Sequence, residues 1–179
     1  IPQECLILSM KQHQKYFPLL DNKGNLLSRF LMVSNIKTNK SAAIISGNER
    51  VLQARLADAE FFFDQDRMKT LASRIKKLSG VVYHSKLGML SDRVERVSKI
   101  SQAIGLQLGG KKLAALAGEV AMLAKADLLT DMVGEFPELQ GIMGGYFAAE
   151  QGFDKEIALA ISEHYLPTGL DSKTPKKPY

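Results

Sequence analysis

Cysteine is nearly absent from this chain. Cys5 is the only one in 179 residues, so no intrachain disulfide can form and the fold must rest on burial and hydrogen bonding. A lone thiol fits a reducing, cytoplasmic setting. Its neighbours in Cys5-Leu-Ile-Leu8 are apolar, which points to a small core residue rather than a reactive group. Histidine is scarce too: His13, His84 and His164 are the only three, and the first two lie far from the third. No apolar run approaches the ~20 residues needed to cross a bilayer, which argues against a membrane partner. No phosphate-binding loop ending in Gly-Lys-Ser/Thr and no CxxC pair occurs. The chain starts at Ile1 with no initiator methionine, basic leader or small-residue cleavage pattern, as expected of a piece of a longer polypeptide.

Charge is abundant, and it is unevenly spread. Residues 1–112 carry 19 Lys and Arg against 9 Asp and Glu, a net +10. Residues 113–170 carry 2 against 9, a net −7. A basic block of this size is the electrostatic footprint of a polyanion partner, although the lysines could equally serve solubility or attract the acidic part. The cations available for nucleic-acid phosphates, RNA among them, are Lys11, Lys15, Arg50, Arg55, Arg67, Arg74, Lys76 and Lys77. Tyr16 and Phe17, beside Lys15, could stack an unpaired base, whereas aromatics in a strand more often fill a core. Arg50 and Arg55 could instead form salt bridges with Asp58 or Glu60.

The pattern along the chain predicts a mainly α (α+β) fold. Residues 1–40 form a small β-hairpin unit: 16–20 and 26–33 read as strands around the turn Asp21-Asn-Lys-Gly-Asn25, with Gly24 free for positive φ. Lys11, His13 and Lys15 would share one face if that segment is extended. A helical middle region covers 41–110. Ser46 and Glu49 stand at capping-box spacing, and Leu52, Leu56, Ala59 and Phe63 repeat at helical spacing. Further helices are expected over 65–78, 91–108 (inward stripe Val97, Ile100, Ile104, Leu108), 111–132, 137–150 and 154–165. Gly109-Gly110 makes the best internal boundary. The tail 171–179 reads as a flexible linker.

Asp127 continues the inward stripe Leu113, Leu116, Val120, Leu123 of its expected helix, and Asp131 follows one turn later. His164 shares a face with Ile157 and Ile161. An acid on an apolar face needs a partner, because burying an unpaired carboxylate is costly. Asp127 and His164 could therefore meet, either as a buried carboxylate–imidazole pair that fixes packing or as a metal or general-base site. The structural pair is the better reading. Gly141, Gly144 and Gly145 suggest close packing more than a nucleotide cradle.

Short segments in order complete the reading. They are Pro2-Gln-Glu4, Met10-Lys-Gln-His-Gln-Lys-Tyr-Phe-Pro18, Gly47-Asn-Glu49, Arg55-Leu-Ala-Asp-Ala-Glu-Phe-Phe62 and Lys86-Leu-Gly88. Ala124-Lys-Ala-Asp-Leu128, Met132-Val-Gly-Glu-Phe136, Gln140-Gly-Ile-Met-Gly144 and Glu163-His-Tyr165 follow. Together they resemble the β subunit of the bacterial tetrameric glycyl-tRNA synthetase. The resemblance implies a fragment that binds tRNA(Gly) and supports the catalytic α subunit, where ATP and Mg would act, with no cofactor in this segment and no catalysis alone. It also implies that 111–170 is an incomplete HD-like helical domain. The HD metal motif needs a His-Asp dipeptide, and here Lys125-Ala126-Asp127 stands nearest. The rival readings are a metal-dependent HD-type phosphohydrolase and a purely structural interaction module.

Overall fold

The computed structural model describes residues 1–175 and 177, so the expected flexible tail lies partly outside the described residues. The chain divides into two compact units, Ile1–Gln65 and Asp66–Tyr179. The fold is mainly helical, with one small hairpin near the N-terminus.

The first unit opens with α1 (Gln3–Leu8), which runs into a π-helical turn over Ser9–His13. Lys11, His13 and Lys15 therefore do not alternate along a strand as the sequence suggested. β1 (Phe17–Leu20) and β2 (Leu26–Leu31) pair antiparallel. Asp21 sets the turn: its Oδ1 accepts from the N–H groups of Lys23 and Asn25, both at 2.8 Å, and Gly24 takes φ +84°. α2 (Ser41–Arg67) begins five residues before the expected start. Ser46 is thus interior, and its capping box with Glu49 does not form. The expected apolar stripe holds: Leu52, Ala59 and Phe63 are buried, and Leu52 joins Met10 and Tyr16 in the core, with Leu56 against it. Cys5 is fully buried, and burial pushes its thiol up to about 11, so it behaves as a core residue.

In the second unit the expected helix over 65–78 is broken. Asp66 and Arg67 end α2, and Thr70 caps α3 (Leu71–Ile75) by accepting from Ser73 N at 3.2 Å. A 3-10 turn over Lys76–Gly80 leads to β3 (Val82–His84), which pairs with β4 (Gly88–Met89) in a hairpin the sequence reading missed. α4 (Leu90–Leu123) doubles back at Gly109 and Gly110, whose φ of −148° and +72° are not helical. The glycine pair thus reverses the chain inside one unit rather than separating two.

The stripe Val97, Ile100, Ile104, Leu108 is the outer face, with Ile100 59% and Leu108 70% exposed. The inward face is Leu90, Val94, Ser98 and Gly105. Small residues win because the two limbs of α4 approach closely. A Cβ on Gly105 would lie 2.9 Å from Ala114 Cα, and Ser98 Oγ donates to Gly118 O at 3.1 Å. The expected helix 111–132 stops at Leu123, and a 3-10 turn over Ala126–Leu129 follows. α5 (Asp131–Glu135), α6 (Ile142–Glu150) and α7 (Lys155–Glu163) complete the unit. Leu71, Met132, Met143, Phe147 and Ile161 are fully buried at its centre.

Candidate functional site

Two polar constellations organise the second unit. The first is buried and structural. Arg74, expected on the surface, is only 4% exposed, and its Nη2 donates to Asp66 Oδ1 at 2.9 Å. It also donates to the Asp66 carbonyl at 3.0 Å and to the Lys69 carbonyl. Asp66 accepts in addition from the N–H groups of Asp131 (3.0 Å) and Met132 (2.9 Å), the first turn of α5. Arg74 is therefore removed from the RNA set: its guanidinium is consumed holding α3 to α5.

The second constellation lies around a cleft of about 480 Å³ lined by Arg93, Val94, Val97, Lys125, Glu163, His164 and Tyr165, among others. Asp127 sits beneath it, fully buried, where the chain leaves α4. Its Oδ2 accepts from Gly141 N at 2.5 Å and Gly144 N at 3.1 Å, so the carboxylate caps the N-terminus of α6 from across the fold. Gly144 makes this approach possible: a Cβ there would lie 3.0 Å from Oδ2 and 2.8 Å from Ile161 Cγ2. Burial pushes the Asp127 carboxyl up, opposed by the two backbone donors and by Lys125. Asp127 Oδ1 has no hydrogen-bond partner.

His164 does not pair with Asp127. Its Nδ1 lies 2.6 Å from Ile161 O, which can only accept, so Nδ1 carries the proton. The lone pair on Nε2 then faces Lys125 Nζ at 2.7 Å. Lys125 Nζ also stands 3.5 Å above the Tyr165 ring, a cation–π contact, and Tyr165 packs on the His164 ring at 4.0 Å. The expected Asp127–His164 pair is thus two separate arrangements, with a lysine taking the imidazole. Sequence reasoning missed Lys125 and Tyr165 because 111–132 read as one helix. The glycine-rich stretch at 141–145 was the available clue to the close approach.

A metal does not fit these residues. No group of three or more His, Cys, Asp or Glu side chains that could hold one exists among the described residues. The one imidazole lone pair in the cleft meets a cation.

Burial, opposed by the hydrogen bond to Ile161 O and helped by the Lys125 and Arg93 charges, holds the His164 imidazole down to about 4, against the usual 6.5. Between those pH values the unfolded chain binds the proton and the folded chain does not, so stability falls as pH drops through that window. The lost contribution is about 2–3 kcal/mol. Unfolding in urea at pH 7 and pH 4.5 should show the wild type losing that much more than His164→Gln. Equal losses would mean that the imidazole titrates normally.

The remaining RNA candidates are placed as follows. Lys11, Lys15, Arg50, Arg55, Arg67, Lys76 and Lys77 are exposed. Arg67 Nε pairs with Glu150 at 3.0 Å. Among the described residues no carboxylate lies within ion-pair distance of Lys11, Lys15, Arg50, Arg55, Lys76 or Lys77, so the alternative pairing with Asp58 or Glu60 is not made. Tyr16 leaves the RNA set. It is 6% exposed, stacked on Phe30 at 4.7 Å, and donates its hydroxyl to Asn48 Oδ1 at 2.6 Å. Phe17 next to it is 57% exposed.

Comparison with known proteins bears on all of this. The family model described as glycyl-tRNA synthetase beta subunit matches residues 1–179. The glycine–tRNA ligase beta subunit of Thiobacillus denitrificans is 57% identical over 178 residues, 99% of this chain and 25% of that protein. The beta subunit of Methylobacillus flagellatus is 60% identical over 167 residues, 93% of this chain and 24% of that protein. That of Neisseria meningitidis is 57% identical over 176 residues. The chain spans about a quarter of the length of these curated relatives. With a whole-chain family match and identities of this size, the chain belongs to the glycyl-tRNA synthetase beta subunit family.

Proposed function

We propose that this chain is a tRNA-binding segment of a glycine–tRNA ligase β subunit, working with the α subunit in ATP-dependent charging of tRNA(Gly) in the cytoplasm. The observation that carries the proposal is a set of exposed cations with no carboxylate in ion-pair distance among the described residues. Lys11, Lys15, Arg50 and Arg55 in the first unit, and Lys76 and Lys77 in the second, are available to phosphate oxygens. Phe17 offers the one exposed ring of the Tyr16-Phe17 pair for stacking. ATP and Mg belong with the α subunit, and the segment alone activates no glycine.

Residues 111–170 serve in this view as an HD-like scaffold without HD chemistry. Asp127 is spent as a helix cap and His164 as the acceptor of Lys125. The phosphohydrolase reading has no comparable support. No helix among the described residues is long and apolar enough to cross a membrane.

Arg50→Ala and Arg55→Ala each test the proposal. Among the described residues neither arginine has an ion-pair partner to lose, so stability should stay within about 0.5 kcal/mol. Affinity for tRNA should fall, and the salt slope should shrink by about 1 for each phosphate contact removed. Unchanged affinity in the double variant would refute a role for these arginines.

A further inference from the structure

The cleft of the second unit holds a cation positioned by two uncharged partners. Lys125 Nζ meets the His164 Nε2 lone pair at 2.7 Å and the face of the Tyr165 ring at 3.5 Å. Both contacts favour the ammonium over the neutral amine. Among the described residues no carboxylate lies within ion-pair distance of Nζ. Asp127, in the following 3-10 turn, keeps its Oδ2 on Gly141 and Gly144. An ammonium carries three N–H donors and the imidazole accepts one, so Lys125 retains donors for a ligand. Burial and the Arg93 charge bring this amine down to about 8, which leaves it an ammonium at pH 7.

The walls say what kind of anion fits. Val94, Val97, Val120, Ala121 and Leu166 line a volume of about 480 Å³, within the range of small-molecule sites. The aromatic side chains in the lining, His164 and Tyr165, pack on each other at 4.0 Å with Lys125 over the second. Such a lining suits an aliphatic body rather than a stacked nucleobase. Glu163 lines the same cleft and opposes a second negative charge on the ligand head. Arg93 stands over the Tyr83 ring at 4.5 Å, which leaves Lys125 as the cation for that head. We propose that this cleft binds a monoanionic aliphatic carboxylate, with the head on Lys125 Nζ and the chain along the Val and Ala wall. The site is separate from the exposed cations assigned to RNA.

Calorimetric titration of the 179-residue chain at pH 7 with octanoate, octan-1-ol and adenosine 5′-monophosphate tests this. Octanoate should bind at least ~10-fold more tightly than octan-1-ol, as expected for a hydrogen bond to a charged group. Adenosine 5′-monophosphate should bind more weakly than octanoate. Lys125→Met should remove the advantage of octanoate and leave octan-1-ol unchanged. In the proton NMR spectrum octanoate should move the imidazole signals of His164 and leave those of His13 and His84 in place. The proposal is overturned if octan-1-ol binds as tightly as octanoate, or if the His164 signals stay unmoved. Both readings come from the unaltered chain and stand even where the variant unfolds. Undiminished octanoate binding in a folded Lys125→Met would overturn the assigned head contact. Tighter binding of adenosine 5′-monophosphate would overturn the ligand class and make the cleft a nucleotide site.

Discussion

Replacing Asp66 by alanine should lower the unfolding free energy of this chain by about 3–5 kcal/mol, the range for breaking a buried ion pair from one side. Asp66 accepts from the Arg74 guanidinium and from two N–H groups at the start of α5. Its loss leaves a guanidinium that is 4% exposed without its counter-charge, and orphans the Asp131 and Met132 donors. Arg74→Met is the contrasting variant. It removes the buried cation and leaves the carboxylate two backbone donors, so about 1–3 kcal/mol is expected. Urea unfolding of the two variants measures the difference. A cost below 1 kcal/mol for Asp66→Ala would mean that water reaches the pair and that the node does not hold α3 to α5.

Asp127→Ala is expected to cost about 2–4 kcal/mol, because two buried N–H groups at the start of α6 lose their acceptor. Asp127→Asn separates the roles open to this residue. An amide oxygen can still accept from Gly141 and Gly144, so a cap tolerates asparagine at a cost of about 1 kcal/mol or less. Oδ1 accepts no hydrogen bond that the exchange would break, and the remaining interaction of the charge is with Lys125. Near-equal losses in the two variants, again by urea unfolding, would show that the charge rather than the hydrogen bonds is what the site requires.

These two nodes also show what could be seen before folding. Leu52, Ala59 and Phe63 were legible as a buried stripe because one face of α2 is apolar at the helical period and its opposite face is not. The turn at Asp21–Asn25 was legible because its acid and glycine do local work. The stripe Val97, Ile100, Ile104, Leu108 misled for an identifiable reason. Apolar spacing marks a helix face, but close approach between the limbs of α4 selects small residues such as Ser98 and Gly105 for the inside. The break after Leu123 was invisible because 124–130 contains neither glycine nor proline. There the long-range bonds of Asp127 to Gly141 and Gly144 override local propensity.

The same gap explains the site residues. Exposure of Arg50 and Arg55 followed from their place off the apolar stripe. Burial of Arg74 and Tyr16 did not, since each depends on a partner far along the chain or outside its own element: Asp66 and the α5 turn for one, Asn48 and Phe30 for the other. Charge counts treat all cations alike, and the fold sorts them into those with internal partners and those without.

Affinity for tRNA(Gly) measured at 50 mM and 200 mM salt tests the central claim most directly. Six exposed cations with no carboxylate in ion-pair distance among the described residues, all in contact with phosphates, predict a fall of roughly 10³-fold between the two conditions. Flat affinity across that range, or no binding at 50 mM, would contradict an electrostatic grip on RNA and leave the chain a structural module of its subunit.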